Sequence, residues 1–258
     1  MSFEAETWAS LKGFYNAIAA SSGLTYGQAK GIHYVMHPGQ NWPSYLLGGE
    51  HLSEPTIEQL ALAMQKGELP RFWIRAVSPG KSFDARILKY NIKQVGYWSG
   101  MWLKRDKPYG KLVPDPGCML DRITGEHELR EWLNVVNHEV MSEKNIDYRL
   151  FRDVLTKPEF DFFRIVKGKK TVSTLLGFRA GAFIGLYMIS TKNDFRDRGY
   201  GSWITSEALD YYIRKGFCTF VLHSTVSGYP MYKKLGFSEN NRFGIYRFAG
   251  NLNLNIEL

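Results

Sequence analysis

Residues 171–190 read TVSTLLGFRAGAFIGLYMIS, twenty residues with a single charge, Arg179, near the centre. A run of that length and polarity suits either a helix in lipid or the interior of a sheet. A guanidinium at mid-bilayer is costly, and Gly177 and Gly181 beside Arg179 read as a turn. The segment is expected to form two buried strands, so the chain must build a substantial sheet, and no membrane association is expected.

The rest of the chain supplies layers for that sheet. Of its 258 residues 44% are hydrophobic and 22% charged, enough for one large domain or two ordinary ones. Trp8, Leu11, Tyr15 and Ile18 share one helical face, and Gly23 ends that helix. A short strand over 32–36 precedes the turn-rich HPGQNWPSY. Ser53 and Pro55 open a second helix with Ile57, Leu60, Ala61 and Met64 on its inner stripe. A strand over 72–77 closes at Pro79-Gly80, and residues 88–103 read as strand broken at Gly96 and Gly100. The segment 104–117 opens on a charge run and ends in PDPG, which places a boundary between residues 1–117 and 118–258.

Past that boundary Thr124 is the cap candidate for an amphipathic helix carrying Leu129, Trp132, Leu133, Val136 and Val140. A shorter helix over 148–155 follows, then strands over 160–166, 172–178 and 182–189. A loop over 191–198 leads through Gly199-Tyr200-Gly201 into a helix ending at Lys215-Gly216. A strand over 217–223, a short helix near Pro230 and a last strand around 244–248 complete the chain. This is an α/β (α+β) pattern, a mixed sheet flanked by helices with a smaller N-terminal α/β module.

Composition removes several functions. Two cysteines, Cys118 and Cys218, cannot form a disulfide scaffold and lack metal-ligand spacing, which fits a reducing, cytoplasmic setting. The acidic start MSFEAETWASLKG does not read as a signal peptide. No zinc spacing exists, and His33 and His37 fall on strand and turn, so no metal is expected. The net charge of +8 divides evenly, +4 on each side of residue 117, without a basic tail; nucleic acid is not an expected partner. An aromatic fraction of 15% favours aromatic-lined pockets.

The chemistry concentrates in GLYMISTKNDFRDRGYGSWITSEALDYYIRKG. Glycines at 199 and 201 free the amides of residues 198–202 to face an anion at a helix N-terminus, with Lys192, Arg196 and Arg198 nearby. A phosphate or pyrophosphate is the expected ligand. The P-loop fails for want of Gly-Lys-Ser/Thr, and the dinucleotide fingerprint lacks its third glycine.

What fits is Arg-x-x-Gly-x-Gly, as Arg196, Gly199 and Gly201, followed 31 residues after Gly201 by Tyr232 in YKKLGF. Together these resemble the acyl-CoA-binding segments of the GNAT superfamily of N-acetyltransferases, over roughly residues 129–248. The stretch GLYMISTKNDFRDRGYGS also resembles the subgroup in which a degenerate GNAT half precedes the catalytic one. Residues 1–117 then read either as such a half, unable to bind CoA, or as an unrelated α+β module. Val221 and Thr225 stand where the family has a valine and usually an asparagine, so Thr225 departs from the pattern.

The resemblance implies a site. The strands around 186–190 and 220–225 splay, and the pantetheine arm of acetyl-CoA lies between them. A backbone amide near Met188, Ile189 or Ser190 polarises the thioester, and the amides of Arg198, Gly199, Tyr200, Gly201 and Ser202 seat the pyrophosphate. An amine of unspecified identity attacks directly. Tyr232 is the candidate acid for the leaving thiolate, or else a packing aromatic. His223 is a candidate base or a structural histidine; Glu139 and a water relay are alternatives. A non-catalytic acyl-CoA-binding regulatory module is the competing reading.

Overall fold

The computed structural model describes residues 4–39, 42–77, 85–110, 117–140 and 145–250. Pro79-Gly80 and most of the PDPG run lie outside the described residues. Among the described residues eleven strands form one sheet in the order β1-β2-β3-β4-β11-β5-β10-β9-β8-β7-β6. They are β1 Thr25–Ala29, β2 Ile32–Met36, β3 Tyr45–Leu47, β4 Phe72–Val77, β5 Ile92–Lys104, β6 Cys118–Arg122, β7 Phe160–Lys167, β8 Lys170–Ala180, β9 Phe183–Thr191, β10 Thr219–Ser224 and β11 Ser238–Phe248. The helices are α1 Glu4–Ser22, α2 Glu54–Gln65, α3 Glu126–Glu139, α4 Tyr148–Leu155, α5 Tyr200–Ile213 and α6 Tyr229–Lys234.

The nearly uncharged run 171–190 is the β8–β9 hairpin, turned at Gly181 with φ +66°. It sits between β7 and β10 with helices on both faces, so both sets of alternating side chains are buried and need to be apolar. Arg179 reaches Asp161 at 3.2 Å. That carboxylate also accepts from Arg122, Tyr211 and Tyr212. Among the described residues no helix is long and apolar enough to cross a membrane.

One face of the sheet carries α1, α3 and α4, whose Leu11, Phe14, Trp132 and Phe151 pack on Phe162, Leu176 and Phe178. On the other face α5, through Trp203, Leu209 and Tyr212, and α6, through Tyr232, pack in one cluster with β8 to β10, while α2 covers β4 and β11. Burying one such side chain is worth about 1.5–3 kcal/mol. The stripe Ile57, Leu60, Ala61, Met64 is buried, and Ser53 caps α2 by accepting from the Thr56 amide.

Local readings shift in places. The N-cap of α3 is Gly125, not Thr124, and makes no side-chain cap bond. β5 runs unbroken through Gly96 and Gly100. Gly100 is required there because a Cβ would collide with Asn241 and Phe243 of β11.

The two sides of residue 117 interleave. β11, from the end of the chain, inserts between β4 and β5, while β5 inserts between β11 and β10. Each segment therefore donates a strand to the other's part of the sheet. α1 also crosses the boundary to pack on β8, β9 and β10.

Candidate functional site

Among the described residues two of the ten strand pairings are parallel, β3 with β4 and β9 with β10. β9 and β10 pair only from Ile184–Phe220 to Leu186–Leu222, although β9 continues to Thr191 and β10 to Ser224. Beyond Leu186 and Leu222 the strands part, opening a V-shaped gap in mid-sheet.

A bulge shapes the β9 side of the gap. Thr174 faces Ser190 and Leu176 faces Tyr187, so Met188 and Ile189 together oppose Leu175. Met188 has φ +50°, an uncommon value for a residue with a side chain. The Thr174 hydroxyl donates to the Met188 carbonyl at 3.1 Å, and Ser173 donates to the Ser190 carbonyl at 2.7 Å. These bonds anchor the bulge from the β8 side.

The gap opens into a cavity of about 310 Å³. Met188, Ile189, His223, Thr225 and Tyr232 line it together. Its far wall belongs to residues before the boundary: Leu11, Phe14 and Tyr15 of α1, Trp42, Tyr45 and Trp98. No positional signal in the sequence identified that wall; only the aromatic richness hinted at it.

Tyr232 is buried, and its ring packs edge-on against Phe237 at 6.0 Å. Its hydroxyl makes no hydrogen bond among the described residues, and burial raises its pKa, so it stays a protonated phenol. His223 sits among Phe243, Tyr187 and Trp98, with ring centroids at 4.7, 6.0 and 6.4 Å. The side chain is only partly buried, but both ring nitrogens are shielded from solvent without a close hydrogen-bond partner. Desolvation lowers its pKa to about 4, opposed weakly by the Thr7 backbone, so the ring is neutral at pH 7. Tyr187 stacks on Phe14 at 3.9 Å and shares a 2.7 Å hydrogen bond with Ser10.

The glycine loop lies beside the gap. Gly199 begins α5 with φ +81° and no side-chain cap, which leaves the first-turn amides without a capping acceptor. A Cβ on Gly201 would stand 2.9 Å from Met231 Sδ, so this glycine also lets α6 approach α5. Tyr200 is buried, with its hydroxyl 3.4 Å from Cys118 Sγ, so only its backbone faces the loop's open side. Ser202 is partly buried, and Arg198 is exposed, 5.9 Å from the Phe195 ring.

Three residues have local duties the sequence did not show. Arg196 donates to Glu139 Oε2 at 2.6 Å and to the Thr191 carbonyl at 3.1 Å. Glu139, only 7% exposed at its side chain, also accepts from the Asn193 amide at 3.2 Å. It anchors the β9–α5 loop and does not line the cavity, which removes it as the base. Thr225 accepts from the Gly228 amide at 3.3 Å and pins the start of α6 while lining the cavity. Among the described residues no three His, Cys, Asp or Glu side chains group as metal ligands.

No protein-family model and no curated protein sequence matches the chain. Solved structures do. A GCN5-related N-acetyltransferase from Kribbella flavida superposes with a TM-score of 0.70 at 11% identity, covering 94% of this chain and 96% of that one. One from Sphaerobacter thermophilus gives 0.63 at 13% identity over 84% and 76%. A tandem GNAT protein from the clavulanic acid biosynthesis pathway gives 0.61 at 12% identity over 94% of each chain. The resemblance carried by Arg196, Gly199, Gly201 and the YKKLGF segment therefore holds at the level of the whole architecture, and the chain has the fold of the GCN5-related N-acetyltransferases.

Proposed function

We propose that the protein is an acetyl-CoA-dependent N-acetyltransferase working by direct attack of an amine on the thioester. The observation that carries this is the bulge at Met188–Ile189, facing a gap between parallel strands and a buried tyrosine without a hydrogen-bond partner. The pantetheine arm would lie in the gap and pair with strand backbone as an added strand does. The bulged amides would polarise the acyl oxygen, a role that needs donors fixed in advance. The pyrophosphate would rest on the uncapped amides at the start of α5, where the helix dipole favours an anion.

In this reading acetyl-CoA binds within residues 118–258, and residues 1–117 supply the wall against which the acceptor sits. The amine nitrogen attacks as its neutral form, and negative charge grows on sulfur as the C–S bond breaks. Tyr232 gives the sulfur a hydrogen bond and then a proton. His223, neutral and with the Thr7 backbone beside it, offers its one lone-pair nitrogen as hydrogen-bond acceptor to the attacking amine. Calorimetry with acetyl-CoA and thiol release with a panel of amines test the reading. Binding without transfer to any amine would instead favour a regulatory acyl-CoA module.

A further inference from the structure

We propose that the acceptor is an uncharged aromatic amine, its ring held between Phe14, Tyr15, Trp42, Tyr45 and Trp98 and its nitrogen directed at the Met188–Ile189 bulge. This rests on the acyl-transfer reading and names its second substrate.

The wall chemistry is the first argument. No Asp, Glu, Lys or Arg is among the described residues lining the cavity. Burial raises the pKa of Tyr15, Tyr45, Tyr187 and Tyr232, so none of these phenols supplies a negative charge. An ammonium entering this space would lose hydration with no carboxylate to pair with. Aromatic faces attract cations, but a protonated nitrogen has no lone pair to attack with. Flat rings also suit walls built from rings, which favour offset or edge-on partners. The volume, about 310 Å³, is roughly twice that of an apolar protein cavity known to bind benzene, leaving room for one substituted ring beside the acyl group.

Proton chemistry is the second argument. An alkyl amine with a pKa of about 10 is protonated all but one part in about a thousand at pH 7 and must be deprotonated before it attacks. His223 is too weak a base for that, and Glu139 is committed to Arg196 outside the cavity. An amine on an aromatic ring is neutral at pH 7, because the ring shares its lone pair. Such a nitrogen needs only a hydrogen-bond acceptor as it attacks, and the neutral imidazole of His223, which keeps one lone pair, offers one. The C–N bond forms, the C–S bond breaks with its electron pair going to sulfur, and one N–H proton ends on sulfur. The products are an N-aryl acetamide and the CoA thiol.

The test uses the full-length protein, acetyl-CoA, and ring-matched acceptors: 4-methoxyaniline and aniline against cyclohexylamine and spermidine at pH 7. The anilines should turn over about tenfold or more faster than cyclohexylamine, a gap of the size a matched pocket gives. Trp98→Val should lower kcat/KM for aniline about tenfold while the Kd for acetyl-CoA changes less than about twofold, with a melting curve to show that the variant folds. Equal or faster turnover of cyclohexylamine or spermidine overturns the aromatic acceptor. So does failure of every aniline while acetyl-CoA still binds, and in both cases the acyl-CoA site stands. Absence of acetyl-CoA binding removes the acyl-transfer reading and this inference together.

Discussion

The sheet contains the same device twice, a parallel strand pair joined by a crossover helix, and the two copies differ at one end. In β3–β4 the pairing runs through Leu47–Ile74 and is extended by the Gly48 amide donating to the Ile74 carbonyl at 3.0 Å. The next residue, Arg75, donates to the Gly49 carbonyl at 2.7 Å, and the Glu50 carboxylate accepts from the Ala76 amide at 3.0 Å. In β9–β10 the pairing stops at Leu186–Leu222, and the next residue is His223, whose ring nitrogens bond nothing closely. The helices differ in the same sense. α2 starts with Ser53 capping the Thr56 amide, then Glu54 and Pro55; α5 starts with Gly199 and no side-chain cap. One copy is filled by its own chain; the other stays open, and the proposed ligand would fill it. A site here consists as much of bonds withheld as of groups supplied.

The largest effect should come from separating the copies. Residues 118–258 alone would lack β5, which lies between β10 and β11, and would lose the α1 cover on β8 to β10. That fragment is expected to show no cooperative thermal transition and no acetyl-CoA binding, whereas the full chain shows both. A fragment that melts cooperatively and binds like the full chain would mean the interleaving is dispensable.

That interleaving is the part of the fold the sequence hid. Periodicity located α1, α2, α4, β2, β4, β7 and α5 because those signals are local. Strand exchange between β5 and β11 pairs residues more than a hundred positions apart, as Trp98 with Phe243, and no local pattern encodes such a partner. β3 escaped notice because Tyr45–Leu47 is three residues long inside a turn-rich stretch, and β6 because it follows the connector. At the candidate site, glycine chemistry singled out Gly199 and Gly201, whereas Met188 and Tyr232 entered only through the resemblance of their surroundings to a known family. Phe14, Tyr15, Trp42, Tyr45 and Trp98 were not, since an aromatic facing a cavity and one facing a core look alike in sequence. Glu139 stood as an alternative base and proved to be the anchor of Arg196.

His223 gives the next effect. Its pKa is about 4 in the fold against 6.5 for the free side chain, so the unfolded chain binds more protons between those values. The stability from keeping it neutral is fully present above about pH 6.5 and is lost as pH falls toward 4, about 3 kcal/mol in all. His223→Phe should therefore melt with a flatter pH dependence than the wild type between pH 6.5 and 4. An unchanged slope would mean that the imidazole binds protons equally in the folded and unfolded chain, so that burial does not hold it neutral.

Tyr232→Phe sharpens the comparison in kinetics. The hydroxyl makes no hydrogen bond among the described residues, so its removal should leave the melting temperature nearly unchanged. If it serves the leaving sulfur, kcat falls about 100-fold with acetyl-CoA affinity preserved, because the interaction exists only as charge builds. Wild-type kcat, under conditions where chemistry limits the rate, would reduce Tyr232 to packing.

The smallest effect tests the two helix starts. Glu54 already places a carboxylate in the first turn of α2, and Ser202→Glu would place one in the first turn of α5. Ser202 is the better position for this than Gly201, where a new Cβ also presses on Met231. A carboxylate near a helix N-terminus stabilises the helix by about 0.3–1 kcal/mol, so the variant should fold at least as well as the wild type. A pyrophosphate seated on the same amides would meet that charge at close range, weakening acetyl-CoA binding by about tenfold at low salt. Added salt should shrink the difference, since the group is near the surface and a Debye length at 0.15 M is about 8 Å. Dephospho-CoA, which lacks the 3′-phosphate but keeps the pyrophosphate, should show the same loss; acetyl-pantetheine, which lacks both, should show none. Equal weakening of all three ligands would mean that the introduced carboxylate disturbs the gap itself and that the start of α5 is not where the phosphates sit.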